Sequence, residues 1–143
     1  MIYIDTSSLL KSFIIDQQSD AVDLAIQLEP AVVVSPITEL EACVQLRAIY
    51  LGGGLSSSRH VGMRQRLAEI LATDPFVIRS LTGRIFSTAT AQSARSTVHC
   101  RSLDRLHLAA MEELGIHRLM THDTRQADAA RELGYEVVSP GLG

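Results

Sequence analysis

Apolar runs of strand length alternate with longer stretches of helical period along the chain, at 2–4, 31–35, 76–79, 118–121 and 135–138 for the strands. Short runs bounded by turn residues suit strands buried on both faces, and helices between such strands make parallel connections. The pattern therefore predicts an α/β fold with a central, mainly parallel sheet flanked by helices. Helices are expected over 6–15, 20–28, 36–51, 56–72, 87–96, 103–114 and 124–133. The clearest start is Ser35-Pro36, a capping serine followed by proline at the first helical position, and Gly52-Gly53-Gly54 ends that helix. Its apolar stripe reads 37, 40, 44 and 48. Ser102 is the expected cap of the 103–114 helix, and Gly115 its stop.

At 143 residues and 46% hydrophobic, the chain has the size of one domain with a single core, spanning 1–143. No apolar run approaches the roughly 20 residues that cross a bilayer, and the N-terminus carries no secretory pattern, so no membrane and a cytoplasmic location are expected. Cys43 and Cys100 have no C-x-x-C spacing, which argues against a zinc knot or a disulfide framework. The net charge of −3 argues against a generally basic coat for nucleic acid. The cations are nonetheless biased, twelve Arg against the single Lys11, and the Arg fork suits phosphate and carboxylate. A GC-rich coding bias accounts for that ratio equally well.

Four acids change the picture. Asp5 follows the first strand and Asp123 lies just past the 118–121 strand, and ligands of such sheets sit beyond the carboxyl ends of the strands. Each also reads as a helix cap. Glu41 borders the apolar stripe of its helix, with Ile37 at i−4 and Val44 at i+3, where a charge is costly unless paired or bound to a metal. Asp104 sits in the first turn of its helix above Leu108 and Met111, where the helix dipole alone also favours an anion.

These residues spell a pattern. Ile4-Asp5-Thr6-Ser7-Ser8-Leu9-Leu10-Lys11 resembles the opening of PIN-domain proteins, and Val34-Ser35-Pro36-Ile37-Thr38-Glu39-Leu40-Glu41 resembles their second motif, with the acid six residues after the serine. Leu103-Asp104-Arg105-Leu106-His107-Leu108-Ala109 is similar to the third, and Leu119-Met120-Thr121-His122-Asp123 to the fourth. The four stand in family order and span residues 4–123; length and N-terminus resemble the VapC-type toxins of toxin–antitoxin pairs. Two points depart or compete: no aromatic residue follows Asp123 closely, and Glu39 rivals Glu41, which the spacing from Ser35 favours.

The resemblance implies a three-layer PIN-like domain and a metal-dependent ribonuclease that leaves a 3′-hydroxyl and a 5′-phosphate. Asp5, Glu41, Asp104 and Asp123 would be its catalytic and metal-binding residues, with Thr6, Ser7 and Thr121 orienting them. Hard oxygen ligands without clustered thiolate or imidazole suit Mg²⁺ or Mn²⁺. The resemblance further implies an RNA substrate, a cognate antitoxin and a homodimer. Leu9, Phe13, Leu51 and Leu55 are candidates for the antitoxin groove, and Arg59, Arg64, Arg66, Arg101 and Arg105 for RNA contact. His107 reads as a packing residue, and the sequence gives His122 no partner. Four converging carboxylates should repel one another and raise at least one pKa.

A phosphoacceptor receiver domain would need a lysine near its last strand, and Lys11 is the only one. A D-x-D phosphatase would need Asp at position 7, which is serine. The serious alternative is a non-catalytic PIN module that binds RNA or protein, and it predicts a broken acidic set.

Overall fold

The computed structural model describes residues 1–142, through which strands and helices alternate. They are β1 (Ile2–Ile4), α1 (Thr6–Phe13), α2 (Ser19–Gln27), β2 (Val32–Val34), α3 (Pro36–Leu51), α4 (Ser57–Leu71), β3 (Phe76–Ile78), α5 (Arg84–Arg95), α6 (Ser102–Leu114), β4 (Arg118–Met120), α7 (Thr124–Glu132) and β5 (Glu136–Val138). The strands form one parallel sheet in the order β3-β2-β1-β4-β5. β1 lies at its centre, with Ile2 beside Val32, Tyr3 between Val33 and Leu119, and Ile4 beside Met120.

Alternation along these short strands sorts the core into two layers. Ile2, Ile4, Val32, Val34 and Met120 pack against Leu9, Val22, Ile26, Leu46 and Leu67 from α1 to α4. Tyr3, Val33 and Leu119 turn the other way, onto Leu108, Met111 and Ala130 of α6 and α7. The sheet is thus covered on both faces, as its uninterrupted apolar strands require. Gly115, in the left-handed conformation at φ 69°, closes α6 and lets the Ile116 N–H return to the Met111 carbonyl at 3.0 Å before the chain enters β4. Among the described residues no helix is long and apolar enough to cross a membrane.

Three local expectations need correction. The inward positions of α3 are Thr38, Ala42 and Leu46 with Ile37, while Leu40 and Val44 are 62% and 58% exposed. Periodicity gives the direction of an apolar stripe on a helix, and α3 carries a second stripe that the core does not use. Ser102 is the first residue of α6 rather than its cap; Arg101 holds the cap position without a side-chain bond. α5 starts at Arg84, ahead of the expected 87, because the Thr82 and Gly83 carbonyls already accept from the N–H groups of Ile85 and Phe86.

Candidate functional site

The chain leaves β1 for β2 on one side and returns to β4 on the other, so the strand order reverses between β1 and β4. A crevice opens beyond the carboxyl ends of the strands at such a switch point. Parallel register brings Asp5 and Thr121 out of these strands side by side, with the Asp5 N–H donating to the Met120 carbonyl at 3.1 Å.

Asp5 is 2% exposed and accepts three hydrogen bonds. Thr121 Oγ1 donates to its Oδ2 at 2.5 Å, and Ser7 Oγ and the Ser8 N–H donate to its Oδ1 at 2.7 and 3.1 Å. The last of these bonds makes Asp5 the N-cap of α1. Asp123 also caps a helix, accepting from the Gln126 N–H at 3.0 Å, while its own N–H donates to Thr121 Oγ1 at 3.0 Å. One threonine hydroxyl therefore links the two acids. For both, capping and membership of the acidic edge coexist, since each spends only some of its lone pairs on the helix.

The other two acids arrive on helices. Asp104, in the first turn of α6, accepts from Arg101 Nε at 3.2 Å, and Arg101 Nη2 lies 3.6 Å from Asp123 Oδ2. Glu41 reaches across from α3, where Thr6 Oγ1 donates to its Oε1 at 3.1 Å and His107 Nε2 contacts the same oxygen. All four acids and the three hydroxyl residues singled out from the sequence thus meet at one edge of the sheet. Among the described residues, no three His, Cys, Asp or Glu side chains are grouped as a single ion would need. Arg101 occupies the position between Asp104 and Asp123.

Burial raises the pKa of Asp5, an effect that its bonds from Thr121 and Ser7 offset only in part. The cause is desolvation rather than the mutual repulsion expected from the sequence. Desolvation pulls Glu41 in the same direction, but the hydrogen bond from His107, then the Thr6 bond and the Arg101 charge, hold its carboxyl below the usual range. The bond from Asp104, followed by the charges of Asp104 and Asp123, pushes the Arg101 guanidinium up.

Behind Glu41 runs a buried chain that the sequence reading missed. Tyr3 Oη lies 2.6 Å from Ser35 Oγ and 2.7 Å from His107 Nδ1. The arrangement is satisfied throughout when Ser35 donates to Tyr3, Tyr3 to Nδ1, and Nε2–H to Glu41; that tautomer follows from the partners. Burial lifts the Tyr3 pKa far above that of a free phenol. His107 is therefore more than packing, and Ser35 turns to Tyr3 instead of capping α3 with its side chain. One signal was legible: a tyrosine in a strand covered on both faces needs a partner for its hydroxyl.

The remaining candidates divide. His122 joins Ser8 Oγ at 2.8 Å to the Pro140 carbonyl at 2.8 Å. Arg105 turns inward, 6% exposed, so it is not a surface contact for RNA. Of the four residues expected in an antitoxin groove, Leu9 is in the core and Leu51 faces outward from α3. Phe13 and Leu55 alone share a crevice, with Ile14, Ile15 and Met63.

Comparison with known proteins places this geometry. The family model described as "PIN domain" matches residues 2–132. Ribonuclease VapC35 of Mycobacterium tuberculosis is 35% identical, the match covering 99% of this chain and 98% of that protein. The crystal structure of Mycobacterium tuberculosis VapC20, titled a sarcin-ricin loop cleaving toxin, superposes with a TM-score of 0.73 at 17% identity, over 98% of this chain and 100% of the other. A toxin–antitoxin complex from Klebsiella pneumoniae gives 0.68 at 20% identity, over 98% of each chain. At these identities the structures speak for the fold.

Proposed function

The chain belongs to the PIN-domain family, and from that premise we propose that it is an endoribonuclease dependent on Mg²⁺ or Mn²⁺, the toxin of a toxin–antitoxin pair. One domain carries this activity in the cytoplasm. The observation that carries the reading is the acidic edge at the switch point, where Asp5, Glu41, Asp104 and Asp123 come from four different elements. A broken set, as a non-catalytic module predicts, is not what the chain has.

The donor set fits a divalent cation in two respects. It is all oxygen. Asp5 is also a desolvated carboxylate with no cationic side chain in ion-pair contact among the described residues, a charge that calls for a compensating ion. Asp5, Glu41, Asp104 and Asp123 would hold the ion, which when bound supplies charge neutralisation at the phosphodiester and a more acidic water. The protein's own groups do the rest. Thr121 and Ser7 lock the Asp5 carboxylate, Thr6 and His107 lock one oxygen of Glu41, and Arg101, 73% exposed, offers a guanidinium to an incoming phosphate.

The name of the VapC35 relative and the Klebsiella complex support the ribonuclease and antitoxin parts of this reading. The unused apolar stripe of α3, Leu40, Val44 and Leu51, supports a homodimer, since it repeats at i, i+4 and i+11 on one exposed face.

Purified protein incubated with RNA tests the proposal. Cleavage should require Mg²⁺ or Mn²⁺ and stop with chelator. Asp5→Asn, Glu41→Gln and Asp104→Asn should each lower it by more than the about 10–100-fold that loss of an outer-shell partner brings. Asp123→Asn should be milder. Cleavage that persists in chelator, or that survives Glu41→Gln, rejects the reading.

A further inference from the structure

A cleft of about 570 Å³ lies between α5, the 96–101 connection and the start of α6, and its size suits a small-molecule site. It adjoins the acidic edge through α6 itself. Ser102 and Arg105 line the cleft, whereas Arg101 and Asp104, interleaved with them, face the acids. One helical turn, with about 5.4 Å of rise, carries both walls.

The lining has a particular chemistry. Phe86 stands at the cleft 62% exposed, while the other five Phe and Tyr residues are buried or half-buried. No carboxylate lines the cleft. Its rim is held rigid from two sides: Arg105 Nη2 donates to Ser96 Oγ at 3.1 Å and to the Val98 carbonyl at 3.4 Å, and Glu132 accepts from Ser96 Oγ and from the Thr97 N–H at 2.9 Å. The Arg105 guanidinium is thereby spent on the rim rather than left free for a phosphate. What remains on the lining is the exposed Phe86 side chain with the Ser102 hydroxyl, while the Thr90 and Ser93 hydroxyls donate to the Phe86 and Thr90 carbonyls at 2.9 and 2.8 Å and keep only their acceptor lone pairs.

We propose that this cleft receives one unstacked base of the RNA strand, next to the phosphate held at the acidic edge, and so selects the sequence that is cut. Single-stranded RNA is recognised in this way, by stacking on an aromatic side chain and by hydrogen bonds to the base edge. A rim fixed before binding loses little freedom on contact. The proposal rests on the ribonuclease reading, which supplies the strand and its register. Phe86 is a specificity residue here and takes no part in the chemistry.

The test compares wild type, Phe86→Ala and Ser93→Arg, the last filling the cleft; both positions are exposed, and unchanged melting temperatures verify folding. Cleavage sites in a randomised RNA are mapped by sequencing, and fluorescence anisotropy with homopolymeric A, C, G and U oligonucleotides is run in parallel. Wild type should show a base preference at one position beside the cut. Both variants should flatten it and raise KM about 10-fold with kcat nearly unchanged, within the range that loss of one base–aromatic stack brings. Cutting with an unaltered preference in both variants overturns the proposal and leaves the ribonuclease reading intact. If wild type cuts no RNA, that reading fails, and the cleft is judged by anisotropy, where equal affinities of wild type and Phe86→Ala for all four homopolymers overturn it. Loss of a co-purified antitoxin from Ser93→Arg, with base preference unchanged, assigns the cleft to protein and overturns it too.

Discussion

Asp5 has a raised pKa in the fold and Glu41 a lowered one, and the two act on stability in opposite directions. A carboxyl raised by burial favours folding least where it is ionised in both states, so the metal-free protein gains stability as pH falls through the folded pKa of Asp5 toward the ordinary aspartate value. Glu41 contributes stability above the ordinary glutamate value, and it is lost as pH falls through its own, lower pKa. Denaturant titrations in chelator across pH should therefore show a maximum in the acid range. Asp5→Asn should flatten the limb on its alkaline side and Glu41→Gln the limb on its acid side; unchanged profiles in both would contradict these assignments. Asp104→Asn differs, because Arg101 already neutralises Asp104 and is itself exposed, so its effect on stability should stay within about 1 kcal/mol. Tyr3→Phe removes one oxygen and leaves Ser35 Oγ and His107 Nδ1 without a partner, at a cost of about 1–3 kcal/mol. The urea midpoint should fall with the slope unchanged.

The elements show where a sequence can and cannot be read. Asp5, Asp104 and Asp123 were legible because a cap or a strand end fixes a position relative to its own element. Glu41 was singled out through its spacing from Ser35, and the partial desolvation expected of it holds, although Leu40 and Val44 of the stripe it borders face solvent rather than the core. The chain from Ser35 through Tyr3 to His107 was not legible, because its members lie 32 and 104 residues from Tyr3 and no local pattern links them. The outward stripe of α3 gives a prediction at this scale. Val44→Glu or Leu51→Glu should leave the unfolding free energy of the fold within about 0.5 kcal/mol of wild type, the usual range for surface changes. Light scattering after size exclusion should meanwhile show a monomer in place of a dimer. A dimer that survives both changes places its interface elsewhere.

For the whole molecule, the acids converge from α1, α3, α6 and α7, so a cation bound among them ties both helical layers to the sheet. Binding to the native state alone raises stability by mass action. Mg²⁺ should raise the melting temperature of wild type more at pH 8 than near pH 5, since metal binding needs ionised ligands, and should leave Asp5→Asn nearly unmoved. Indifference of wild type at every pH would remove the metal from the account. The fold class follows from alternation and parallel crossovers, but the strand order does not, since the pairing of β1 with β4 joins residues 2–4 to residues 118–120 across most of the chain. Long-range pairings of this kind form late. During synthesis the N-terminal part emerges first, with Asp5 and Glu41 in place and neither Asp104, Asp123 nor the Thr121 hydroxyl yet made. A ribosome building this chain thus carries the acidic edge unfinished until residue 123 has been read, so the order of synthesis is also the order in which the proposed site is assembled.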